Sequence, residues 1–186
     1  TNFIHTSTLY SDSAYYFITF DLGPGKRISS QASSSLTPTD FVTTFDDYGF
    51  TDNNNTNFIK SGREWYGEYF DNIASYNFSY SFPNIDHSAP AYVKVQLASR
   101  YKDLSPAINN AYYLASCQSG STNIGIPEVV GSSEDEYANI GSGCFSFTPT
   151  NPSTTLTVNV TKQTADALGW MDFVEVNARR QLIMTG

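Results

Sequence analysis

The chain has 186 residues, with ten Lys and Arg against eighteen Asp and Glu and a net charge of −8. That balance leaves too little basic surface to neutralise a row of phosphates, which excludes nucleic acid and an anionic membrane as partners. The length fits one domain with room for a real core.

Hydrophobic residues make up 40% of the chain and charged residues only 15%, with thirteen Tyr, thirteen Phe and two Trp. Aromatic and β-branched side chains suit a pleated, half-buried surface, so the composition points to an extracytoplasmic all-β domain. No signal peptide is read from Thr1 onward, because the start is polar and lacks a basic segment followed by an apolar one. No run approaches the length of a transmembrane helix, so membrane insertion is not expected.

In chain order, residues 13–20 read as a strand that Gly23-Pro24-Gly25 breaks. Residues 29–40 read as a Ser- and Thr-rich loop, and residues 41–45 as a short strand. The run Asp52-Asn53-Asn54-Asn55-Thr56-Asn57 is turn-prone, since Asn and Asp tolerate left-handed dihedrals and bond their own backbone. Residues 58–70 are compact and aromatic, interrupted by Gly62 and Gly67. Residues 76–82 alternate strictly, which puts Tyr76, Phe78, Tyr80 and Phe82 on one face. In residues 91–99 the same alternation turns Val93, Val95 and Leu97 inward and Lys94 and Gln96 outward. Residues 111–116, 143–147 and 154–160 are further strands. Residues 161–168 are the one helix-permissive stretch. The last strand is centred on residues 170–176, with Val174 and Val176 on one face and Phe173 and Glu175 on the other. Short strands at this spacing predict a single β-sandwich spanning residues 1–186, with a jelly roll as the favoured version.

Little in the chain assembles chemistry. A cysteine peptidase needs a thiolate, a histidine and an oxyanion hole. The available residues are Cys117, Cys144, His5 and His87. The two cysteines lack zinc-ligand spacing and read either as a disulfide or as two core thiols. Carboxylates cluster at Asp46-Asp47, at Glu134-Asp135-Glu136 and at Asp172 with Glu175, but no spacing marks a glycosidase pair. The acidic run at 134–136 reads as solvated loop. No organic cofactor is implied. Calcium is the one metal the loop carbonyls and carboxylates suit, with Asp172 as its candidate ligand.

The box Gly62-Arg63-Glu64-Trp65-Tyr66-Gly67-Glu68 has two readings. In one, Trp65 and Tyr66 stack on a sugar or peptide while Arg63 and Glu68 anchor its polar groups. In the other, which weighs more, Trp65 packs in the core, the glycines allow tight turns and Arg63 pairs with a carboxylate. Arg179 and Arg180 are either a contact for an acidic partner or part of the strand and linker leading out of the domain.

Three blocks carry a resemblance. They are residues 9–20 with Gly23-Pro24-Gly25-Lys26-Arg27-Ile28, the box with its flanks from Ser61 to Phe70, and residues 166–182. In that order they resemble the region upstream of the peptidase domain in the PorU family, the gingipain-like sortases of type IX secretion. The family's catalytic segment carries its histidine next to glycine, whereas His5 precedes Thr6 and His87 precedes Ser88. The resemblance therefore implies a domain without catalytic residues, with residues 178–186 leading into a downstream peptidase domain. It implies a place at the bacterial outer membrane and cell surface, in a protein that removes C-terminal secretion signals and attaches cargo to lipopolysaccharide. The implied partners are that peptidase domain, type IX cargo signal domains, lipopolysaccharide and other secretion components. The closing strand also resembles that of jelly-roll modules that bind sugars. The rival reading is thus a carbohydrate-binding module of a secreted bacterial protein, favoured if Trp65 and Tyr66 are exposed and coplanar.

Overall fold

A computed structural model describes residues 16–18, 20, 23, 25, 28–58, 60, 64–102, 110–129 and 137–183. Among them there are nine strands: β1 (Thr44–Thr51), β2 (Tyr69–Phe70), β3 (Ser75–Ser81), β4 (Ala91–Arg100), β5 (Asn110–Cys117), β6 (Gly120–Pro127), β7 (Asn139–Phe147), β8 (Thr155–Lys162) and β9 (Leu168–Gln181). They form two antiparallel sheets. The front sheet runs β1-β9-β4-β7, with β2 beside one end of β9, and the back sheet runs β3-β8-β5-β6.

The pairing is nested. First pairs with last (β1 with β9), then β3 with β8, β4 with β7, and β5 with β6. This wrapping of a folded ribbon into two sheets is a jelly roll, as the strand spacing predicts. The core lies between the sheets. Phe78, Tyr80 and Phe82 enter it from the back sheet, and Val93, Val95 and Leu97 from the front, on the faces their alternation predicts.

The closing strand departs from simple alternation. Gln96 of β4 pairs with Phe173, but Leu97 pairs with Met171, so Asp172 is an extra residue in a β-bulge. The bulge shifts the side-chain parity. Met171, Val174, Val176 and Ala178 all reach the main core, which an unbroken period of two does not allow. Val174 and Val176 thus share a face as read from the sequence.

Tyr113 ties the sheets together. Its hydroxyl lies 3.0 Å from Ser99 Oγ on β4. Ser99 Oγ donates to the Leu168 carbonyl on β9 at 3.0 Å, so the Tyr113 hydroxyl donates to Ser99. All three groups sit in a region where Tyr113 and Ser99 are fully buried, and an unpartnered hydroxyl there is costly.

Several expectations are corrected. The four described positions in residues 13–20 (Tyr16, Phe17, Ile18 and Phe20) form no strand and are strongly exposed, while the rest of that stretch and Pro24, Lys26 and Arg27 of the following block lie outside the described residues. Residues 161–168 contain no helix. They finish β8, turn and begin β9, and Lys162 Nζ holds the turn by donating to the carbonyls of Asp71, Ala165 and Ala167 at 2.8–2.9 Å. Residues 178–181 belong to β9, in keeping with the reading of Arg179 and Arg180 as part of a strand. Two strands, the short β2 and β6, have no counterpart in the sequence reading.

Candidate functional site: the outer face of the front sheet

Most of the singled-out residues lie along the outer face of the front sheet. At one end, Ala98 and Trp170 are directly paired and face away from the main core. The segment before β2 folds over them. Tyr66 is 3% exposed and joins Ala98 and Trp170 in a satellite core. Phe58 stacks on Tyr66 at 4.5 Å and meets Trp170 edge-on at 4.7 Å. Backbone bonds between Thr56 and Tyr66, and from Gly67 to Met171, pin the segment to the sheet. Gly67 is needed for this approach, because a Cβ there would lie 2.9 Å from both Cβ and O of Asn53.

The box therefore divides. Trp65 is 43% exposed, and it is Tyr66, not Trp65, that packs inside. The two neighbours do not form a shared platform. This corrects both the coplanar pair and the buried Trp65, and the reason is local: the Thr56–Tyr66 bridge is extended, so successive side chains point opposite ways. Burial and the nearby Glu64 and Asp172 carboxylates raise the Tyr66 phenol well beyond the usual range. Glu68 Oε1 accepts from Asn53 Nδ2 at 2.7 Å. Its Oε2 is buried and has no hydrogen-bond partner among the described residues. Arg63 lies outside the described residues, as do His5 and the acidic run 134–136.

In the middle of the face, Asp172 Oδ2 accepts from Gln96 Nε2 at 2.6 Å across the bulge. Among the described residues no three His, Cys, Asp or Glu side chains converge as metal ligands. Glu175 is 5% exposed and pairs in register with Lys94, whose ammonium lies 5.1 Å from the centre of the Phe173 ring.

At the other end, Arg179 and Arg180 are engaged within the domain. Arg179 holds Asp46 of β1 at 2.7 Å, and Arg180 holds Asp47 at 2.6 Å. Arg180 also donates to the Pro83 carbonyl and lies over the Phe45 ring. The Arg179 guanidinium holds the Asp46 carboxyl below its ordinary value of 3.8. Beside the Arg179–Asp46 pair is a cleft of about 300 Å³ lined by Asp46, Ala89, Pro90, Tyr92, Asn177, Ala178 and Arg179. Tyr48, Asn177 and Tyr92 form one row across three strands, with both tyrosines partly exposed and Asn177 buried between them. The sequence pattern did not single out Asn177 or Tyr92. Their only signal is that Tyr92 falls on the outward parity of an otherwise clean alternation.

The cysteines neither bridge nor share an environment. Cys117 is buried in the main core, where burial pushes its thiol up to about 11. Cys144 is exposed on the outer face of β7 opposite Lys94. This corrects both the bridge and the pair of core thiols, because Phe145 and Phe147 take the inward parity of β7 and leave Cys144 outward. His87 Nδ1 lies 3.3 Å from the Pro149 carbonyl.

No protein-family model matches the chain, and no curated protein matches it. Among solved structures, 78% of the chain superimposes on a chain of dimeric latent PorU from Porphyromonas gingivalis, with a TM-score of 0.66 and 13% identity. The chain has the fold of a stretch of PorU. It spans 14% of that PorU chain's length, and at this identity the likeness concerns the fold alone. CBM35 from Cellvibrio japonicus Abf62 aligns over 72% of this chain and 92% of its own, at 12% identity and a TM-score of only 0.35, too low to imply a shared fold.

Proposed function

We propose that the chain is a non-catalytic jelly-roll domain of a PorU-like exported protein, serving as a scaffold for a gingipain-like peptidase domain at the outer membrane and cell surface. The observation that carries this reading is the superposition of most of the chain on part of PorU, joined to three sequence blocks that resemble the same region in the same order. The described geometry is compatible with a scaffold. Arg179 and Arg180 brace β9 against β1, and the box packs the 52–70 segment onto the sheet. Fold likeness alone does not fix function, so the parent's cargo signal domains and lipopolysaccharide enter as partners of this proposal only.

The test is an antiserum raised against this chain, used on fractionated cells of the source organism. The expected result is a polypeptide far larger than 20.6 kDa in the outer-membrane fraction, whose tryptic peptides include a Cys/His peptidase domain. A cytosolic polypeptide with no peptidase peptides would overturn the reading. Cleavage of cargo peptides by the isolated chain, abolished by Cys144→Ser, would overturn its non-catalytic part.

A further inference from the structure

We infer that the cleft beside the Arg179–Asp46 pair is a binding site for a single neutral sugar ring. This goes beyond the scaffold reading and stands without it. The cleft holds about 300 Å³, at the lower end of small-ligand sites, which suits a single ring rather than a long segment. Its walls are chemically mixed. Tyr92 offers a ring that is 41% exposed, while Ala89 and Pro90 supply small apolar surface. Asn177, Arg179 and Asp46 supply an amide, a guanidinium and a carboxylate on the same face. A pyranose presents an apolar C–H face and a rim of hydroxyls that both donate and accept. An aromatic ring beside mixed donors and acceptors matches both parts.

The alternatives fit less well. A strand-like peptide needs a free ladder edge, but β9 lies between β1 and β4 here, so the cleft floor presents side chains and no open backbone. An anion meets Asp46, whose carboxylate already neutralises Arg179 at 2.7 Å, in a chain of net charge −8. A cation meets the guanidinium.

The experiment is saturation-transfer NMR on the full chain with methyl α-glycosides of glucose, galactose, mannose and rhamnose as probes. Sodium acetate and an acetylated tripeptide serve as competitors. Binding of at least one glycoside is expected, with a dissociation constant on the order of millimolar, as for a small ligand with few contacts. Tyr92→Ala should weaken it at least about tenfold with an unchanged melting temperature, since the exposed ring contributes little to the fold. No transfer to any of the four glycosides, or transfer unaltered by Tyr92→Ala, overturns the assignment. Displacement of the glycoside by acetate or the tripeptide also overturns it, because the cleft is then a carboxylate site.

Discussion

Gly169→Ala tests the contact between the two sheets most directly. Gly169 lies in β9 opposite Ser99, beneath the fully buried Tyr113 ring. A Cβ at this position would collide with the Tyr113 hydroxyl oxygen and come within 2.8 Å of ring atoms Cε1 and Cζ. Carbon atoms pack best at ~3.5–4.0 Å, so ring or strand must move by roughly 1 Å. The ring has little freedom, because its hydroxyl is bonded to Ser99 and it makes a T-shaped contact with Phe70 at 5.7 Å between ring centres. Overpacking a rigid core costs ~1–3 kcal/mol, and the geometry places this case near the upper end. For a chain of this size that lowers Tm by roughly 6–12 °C. Tyr113→Phe removes the nearest colliding atom. Alone it costs about 1 kcal/mol, since Ser99 keeps its bond to the Leu168 carbonyl and no donor is orphaned. The double variant should therefore be more stable than the sum of the singles predicts, by ~1 kcal/mol. Urea unfolding followed by tryptophan fluorescence, to which Trp170 contributes as the next residue in the strand, reads all four corners of the cycle. A cost below about 1 kcal/mol for Gly169→Ala, or strict additivity, would refute the packing argument.

Other expectations follow from the same coordinates. Deleting Asp172 removes the bulge but leaves Met171 opposite Leu97 and Phe173 opposite Gln96, each on its present face, so the variant should keep cooperative unfolding and a native near-ultraviolet circular dichroism spectrum; loss of either would show that the bend of the bulge is itself required. Ellman's reagent should titrate one thiol, Cys144, in the folded protein and two after denaturation, and prompt reaction of both would contradict the burial of Cys117. Because Arg179 depresses the Asp46 pKa, their pairing stabilises the fold fully above the ordinary carboxylate value of 3.8 and is lost as pH falls through the lower folded value. The stability gap between wild type and Arg179→Met should thus be constant from pH 7 down to about pH 5 and shrink below about pH 4, which urea titrations across that range would check. Trp65→Ala should cost less than about 1 kcal/mol, against ~3–5 kcal/mol for Trp170→Ala, and the reverse order in thermal melts would restore Trp65 to the core.

The sequence makes the sandwich legible where one face is apolar and the other polar. β3, with aromatics separated by Ser and Asn, and β4, with its inward Val93, Val95 and Leu97, announce their faces without a partner in view. β6 does not. Gly120 and Gly125 and its hydroxyl residues favour a turn reading, and only distant partners make it a strand. Ile124 and Ile126 fill the space left by Gly141 and Gly143 of β7, where added Cβ atoms would lie 2.5–2.7 Å away. The Asp46-Asp47 and Arg179-Arg180 pairs were each visible as charged dipeptides. Their mutual match was not, because it depends on a register between segments 133 residues apart. Asn177 and Tyr92 stayed hidden for the same reason, since a cross-strand row exists only once the strands are aligned.

The nesting of the strands has a consequence for how the molecule comes into being. β9 fills the middle of the front sheet and joins β1 to β4, yet it is the last of the nine to be synthesised. Until it arrives, β1 has no neighbour and one wall of the hydrophobic interior is missing its centre. Contacts this distant in sequence form slowly, because the intervening chain must be gathered before any of them is rewarded. A nascent copy emerging from the ribosome is therefore an unfinished sandwich of adhesive strands rather than a partly built domain. For an exported protein that delay is useful. Under the exported reading proposed above, the domain would stay threadable until β9 is released.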